Sequence, residues 1–230
     1  MDFANIGFMI SVWIIPIIIA VTLHEAAHGW VAWRLGDHTA YMMGRVTFNP
    51  IKHVDPFGTL LMPGLMLLLS GGKMMFGYAK PVPVNMRNFS NIRRDMVLVA
   101  AAGPGANILI AIISALLFYT LPLMPPDVAN WLGHNLKNSL YINVILCVFN
   151  LIPLPPLDGG RIAVGLLPRP LAMRLASLER YGMFILLGMI FLVPYLGSIV
   201  GLNLNIFWWL VKVPADYITY GIAYMVGIAG

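Results

Sequence analysis

Charge is what this chain has least of. Of its 230 residues, 10% are Asp, Glu, Lys or Arg and 60% are hydrophobic, whereas a soluble globular domain carries about 25% charge. That scarcity excludes an ordinary soluble domain. Residues 3–23, 96–126, 138–157 and 181–211 contain no charged side chain at all. A helix needs roughly 20 apolar residues to cross a bilayer core, so each stretch is long enough to span. No Lys or Arg precedes Arg34, and the first apolar run has no small-residue stop. A secretory signal needs both features, so residues 3–23 are expected to remain as a span. The single Cys147 excludes an internal disulfide and reads as a small packing residue. No internal repeat or low-complexity tract is visible. The expectation is one all-α polytopic membrane domain over 1–230, with a core at 6–165 and accessory helices at 170–230.

What charge there is sits unevenly. The net +5 comes from fourteen Lys and Arg against nine Asp and Glu. Twelve of the fourteen fall within 34–94 and 161–180, and only Lys137 and Lys212 lie elsewhere. Such clustering is a topology signal rather than a nucleic-acid footprint, because basic loops stay cytoplasmic. The N-terminus is then outside, the first span runs inward, 96–122 runs outward and 138–152 returns. The end of the chain, with Trp208 and Trp209 placed like interface aromatics, reads either as one more span or as interfacial helices.

Two segments read differently. Residues 59–72, "TLLMPGLMLLLSGG", are too short for a comfortable span and carry Pro63 and Gly64 near the middle; they read as re-entrant or partly buried. Residues 76–85, "FGYAKPVPVN", combine Phe, Tyr and Val with Pro81 and Pro83. That composition predicts an extended ribbon or edge strand, so the helical core is expected to carry a small membrane-edge β-ribbon or sheet.

Polar residues inside an apolar helix call for a reason, since each costs several kcal/mol to desolvate. "HEAAH", residues 24–28, puts His24, Glu25 and His28 there. Positions i and i+4 share one helix face, so His24 and His28 point the same way and can hold one ion. Glu25 lies about 100° around the helix, off the ion but within reach of a water beside it. H-E-x-x-H is the pattern of two zinc ligands and a general base. The competing reading is a His–Glu pair closing a buried hydrogen-bond network.

A catalytic zinc site needs a third protein ligand and an open position. Asp158, in "NLIPLPPLDGG", residues 150–160, is the acidic residue best placed for it. Pro153, Pro155 and Pro156 end the preceding helix, and irregular backbone at membrane depth survives only where protein or water lines it. Gly159 and Gly160 let the chain turn beside the carboxylate. The competing reading is an interfacial turn with a helix-capping Asp. His24 precedes Arg34 by ten residues, about 15 Å at about 1.5 Å per residue. The site would lie within the hydrocarbon near its cytoplasmic end.

"HEAAH" together with "NLIPLPPLDGG", "NPIKHVDPFGTLLMP" (49–63), "FGYAKPVPVN" and "AAGPGAN" (101–107) resembles the site-2 protease family of intramembrane zinc metalloproteases, in its compact prokaryotic branch without a PDZ domain. The resemblance covers roughly residues 15–165. It implies one zinc ion held by His24, His28 and Asp158, with Glu25 as the base that activates water. It implies a role near the active site for Asn107, holding the substrate strand or stabilising an oxyanion. Asn150 would hydrogen-bond substrate or the Asp158 loop. His53 either approaches the site or is an interfacial histidine. The implied partners are a transmembrane protein substrate and membrane lipid, with no nucleic acid. The implied location is the cell membrane, with the active site towards the cytoplasm. A ribbon at 76–85 would be able to pair with an unwound substrate. Two other classes fit part of the pattern. A metal transporter would need polar groups reaching both faces, and here they gather at one end. A catalytically inactive homologue that binds transmembrane helices would not need Glu25.

Overall fold

The computed structural model describes residues 3–69 and 77–228. Its helices in chain order are α1 (Phe3–Arg34), α2 (Thr39–Met42), α3 (Met62–Leu69), α4 (Ile92–Leu117) and α5 (Pro126–Asn150). They continue with α6 (Asp158–Leu166), α7 (Arg169–Ser177), α8 (Glu179–Leu187), α9 (Val193–Ile199) and α10 (Val213–Val226). Among the described residues, three helical stretches are long and apolar enough to cross a membrane: Asn5–Arg34, Ile92–Leu123 and Glu179–Ile199. This is an all-α membrane protein.

α1 is sorted by a fourfold spacing. Val12, Pro16, Ala20, His24, His28 and Ala32 are all buried, and residues four apart stack along one helix face. The opposite face leaves Ile10, Trp13, Ile14 and Ile18 exposed. An apolar outer face belongs against lipid rather than water. The inner stripe is mostly small, which lets neighbouring helices approach closely. α4 and α5 fill that space and pack extensively against α1 and each other.

Polar pairs report how the three core helices run. Asn107 bonds to Asn143 and Ser114 to Ser139, so α4 and α5 are antiparallel. His24 meets Asn107 while His28 meets Val99, so α1 and α4 are antiparallel too. α5 therefore runs parallel to α1. Residues 138–152 were expected to return as a span, yet α5 is not among the three apolar stretches. It carries Asp127 and Lys137 and is dotted with Asn. Several of those amides turn inward: Asn143 bonds towards α4, and Asn138 donates to the Val12 carbonyl of α1. On its other side α5 joins α4 and α10 in a core of Ala111, Ala115, Leu140, Val144, Ala215 and Ile222.

The chain around α1 explains why 77–85 is extended but not a strand. No strand occurs among the described residues, which corrects the expected membrane-edge ribbon; Phe76 lies outside them. Pro81 and Pro83 have no N–H to give a ladder, and side chains take much of what remains. Arg45, itself buried, donates to the Lys80 carbonyl at 2.7 Å. The Val82 N–H donates to Glu25 Oε2 at 2.9 Å, and the Asn85 N–H to Asp37 Oδ2 at 2.7 Å. Tyr78 and Lys80 donate to the carbonyls of Gly58 and His53. The segment is tied to α1 and its following loop point by point. Asp37 also accepts from Thr39 and Asn88. Burial alone would raise its carboxyl, but these hydrogen bonds outweigh it and hold the group below its ordinary value.

The 59–72 segment forms a π-helical turn, Pro56–Leu61, continued by α3; residues 70–72 lie outside the described part. Asp55 caps the turn by accepting from the Phe57 and Gly58 N–H groups at 3.0 and 2.6 Å.

Candidate metal centre

The buried stripe of α1 carries two imidazoles one turn apart. Their Nε2 atoms lie 3.1 Å from each other, with the ring planes 86° apart. Asp158 arrives from far along the chain. α5 stops before the prolines, the chain crosses 151–157 irregularly, and α6 begins at Asp158 itself. Close approach allows this. A Cβ at Gly159 would run into the Leu151 carbonyl, and one at Gly160 into the backbone of Leu154 and Pro155. α6 therefore nests against its own entry loop and aims Asp158 at α1. Asp158 Oδ2 lies 3.2 Å from His24 Nε2 and 3.3 Å from His28 Nε2.

The outer ring nitrogens decide what the inner ones can do. His24 Nδ1 is 2.6 Å from Asn107 Oδ1, and His28 Nδ1 is 2.7 Å from the Val99 carbonyl oxygen. Both partners are acceptors, so both Nδ1 atoms carry the proton. With both rings neutral, as metal ligation requires, each turns an Nε2 lone pair towards the other and towards a carboxylate oxygen. Asp158 Oδ2 is buried with no hydrogen-bond partner. Three electron-rich atoms packed this closely repel each other unless a proton or a metal cation sits between them. A tetrahedral ion with bonds of about 2.0–2.1 Å sets its ligands about 3.3 Å apart. The three separations match, so the donor set fits zinc by chemistry and by spacing. Outer-nitrogen partners of this kind are what metal-bound histidines ordinarily have.

The other expected residues divide. Glu25 is partly buried beside the pair and accepts the Val82 N–H. Asn107, fully buried, reaches the cluster as the partner of His24, with both ends of its amide engaged inside the protein. Asn150 is tied within its own helix, its amide donating to the Leu146 carbonyl at 2.9 Å. His53 is held by neighbouring loop backbone. Its Nε2 donates to the Thr47 carbonyl at 3.0 Å, and its own carbonyl receives Lys80.

Two residues of the site were not singled out in the sequence. Asn143 is fully buried and accepts from Asn107 at 2.8 Å. Gly103 on α4 lies against the imidazoles, where an added Cβ would collide with Nε2 of His24 and of His28. A glycine inside a helix costs about 1 kcal/mol relative to Ala, and that cost was the available signal. Gly103→Ala is expected to weaken zinc binding at least about tenfold, as misplacing a ligand does. A chelator-competition titration measures it, and unchanged affinity would show that the rings tolerate the methyl group.

Known proteins give a consistent picture. The model of the family described as "Peptidase family M50" matches residues 12–129 and 126–193. The chain is 43% identical over 194 residues to "Putative zinc metalloprotease YwhC" of Bacillus subtilis, covering 81% of this chain and 82% of that protein. It is 33% identical over 143 residues to "Putative zinc metalloprotease Rip2" of Mycolicibacterium smegmatis, covering 62% and 52%. The protein of the same name from Mycobacterium tuberculosis H37Rv is 31% identical over 182 residues, covering 79% and 66%. No solved structure matches the chain.

Proposed function

This chain belongs to peptidase family M50, the site-2 protease family, and we propose that it hydrolyses peptide bonds in or near transmembrane segments of other membrane proteins at a single zinc ion. The observation that carries the reading is the convergence of His24 Nε2, His28 Nε2 and Asp158 Oδ2 within 3.3 Å of one another. These three residues would hold the ion. Zinc, when bound, supplies Lewis acidity that polarises a carbonyl and lowers the pKa of water towards about 7.

The chain's own groups do the rest. Glu25 takes a proton from the attacking water and returns it to the leaving amine nitrogen. The Val82 N–H on Oε2 steadies the carboxylate and leaves the second oxygen to move the proton. Asn107 holds the His24 ring in place through Nδ1 rather than offering its amide to substrate. His28 is held in the same way by the Val99 carbonyl. A substrate helix has its carbonyls bonded internally, so it must unwind locally before attack, and Gly or Pro in the substrate favours this. The clustering of basic residues near the Arg34 end of α1 supports a site that opens towards the cytoplasm of the cell membrane, with the N-terminus outside.

The test is cleavage of a single-span peptide by the full chain reconstituted in lipid vesicles. Hydrolysis within the span should stop on chelation and return on adding zinc. Cleavage that persists after exhaustive chelation would contradict the zinc reading.

A further inference from the structure

We propose that Asn143 is a positioning residue for the metal centre, fixing through Asn107 which ring nitrogen of His24 faces the ion. The inference rests on the zinc reading above and extends it to a residue that touches no metal ligand. Each hydrogen bond takes its direction from one fixed point. The Ser139 main-chain carbonyl can only accept, so the Asn143 amide turns its nitrogen there, at 2.9 Å. The Ser139 hydroxyl lies 3.4 Å from the same nitrogen. Asn143 Oδ1 is left facing α4, where Asn107 Nδ2 donates to it at 2.8 Å. The other partner of Asn107 Nδ2, the Ala20 carbonyl, is 3.4 Å away, at the long limit for such a bond. The Asn143 contact is therefore the one that holds the Asn107 amide in its sense.

The consequence reaches the cluster. With Nδ2 committed to Asn143, Asn107 Oδ1 faces His24 and accepts from Nδ1 at 2.6 Å. The proton stays on Nδ1 and the lone pair on Nε2, 3.2 Å from Asp158 Oδ2. Were the Asn107 amide reversed, its NH2 would face Nδ1 and draw the ring proton to Nε2, which closes that ligand position. His28 needs no such device, because the Val99 carbonyl beside its Nδ1 has only an acceptor to offer. Both amides are 0% exposed, so solvent does not serve as an alternative partner. The order of contacts runs from backbone to amide to amide to imidazole, across α5, α4 and α1.

The experiment measures zinc affinity of the full chain in detergent by chelator competition, with the visible spectrum of the cobalt-substituted protein as the signature of ligand geometry. Asn143→Leu removes the acceptor and is expected to weaken zinc about 10- to 100-fold, the usual effect of losing an outer partner, and to reduce the cobalt bands. Asn107→Asp offers His24 an acceptor whichever way it turns, so adding Asn143→Leu to it should cost nothing further. An equal loss in both backgrounds would mean that Asn143 only fills space, and that overturns the proposal. So does parental affinity in Asn143→Leu. Should Asn143→Leu fail to fold, Asn143→Asp keeps the acceptor and Asn143→Ala removes it. Affinity must then survive in the first and fall in the second; equal losses overturn the proposal. Zinc affinity that is absent in the parent, or unchanged in His24→Ala, brings down the zinc reading and this inference with it. The other outcomes touch Asn143 alone.

Discussion

Glu25→Gln is expected to lower peptide hydrolysis by about 100- to 10,000-fold, the range for losing a general acid–base group, with zinc affinity unchanged. The two halves separate chemistry from architecture. A glutamine has the size and reach of glutamate, and its carbonyl oxygen can still accept the Val82 N–H now received by Oε2. The extended 77–85 segment should stay in place. His24 and His28 keep their outer partners, since neither bonds to Glu25. What disappears is the capacity to take a proton. The measurement is single-turnover cleavage of a spanning peptide in vesicles, alongside a zinc titration. Activity within a few-fold of the parent would remove Glu25 from its role. Loss of zinc together with activity would make it a structural residue.

Asp158→Ala is expected to reduce zinc affinity by at least about 100-fold, the upper end of what even an outer partner contributes, and to abolish hydrolysis. Here the carboxylate oxygen sits 3.2 and 3.3 Å from the two ring nitrogens with no other partner. A second readout follows from linkage. A ligand that binds only the folded state stabilises it by RT ln(1 + [L]/Kd), about 2.7 kcal/mol at a hundredfold excess over Kd. The parent should therefore melt at a higher temperature when zinc is added, and Asp158→Ala should not. A zinc-dependent rise that survives the substitution would mean the ion sits elsewhere.

Much of the candidate site was legible because its signals are local. The His24/His28 pair shows itself by a spacing of four in an apolar helix. Asp158 stands out because prolines and glycines bracket it. Asn143 carried no signal of its own, and Gly103 only that of a costly helix glycine, for a physical reason. Their importance depends on the register between α4 and α5 and between α1 and α4, which neither helix specifies alone. The 77–85 segment misled in the opposite sense. Its Val and Tyr content favours a strand, but acceptors on Glu25 and Asp37 and the donor Arg45 compete for its backbone. Those competitors lie 35 to 57 positions away in the chain. α5 shows the same limit. Its amides lower its apolar character as a sequence, while the fold pairs several of them with neighbouring helices.

The most direct measurement is zinc-edge X-ray absorption on the purified full chain, because it reads the coordination sphere itself. One zinc per chain is expected, with multiple-scattering features of two imidazoles and nitrogen or oxygen neighbours at about 2.0–2.1 Å. Replacing Asp158 should remove one light-atom ligand or release the ion. A sphere without imidazole, or a chain that carries no zinc after loading, would contradict the assignment of His24, His28 and Asp158 as its ligands.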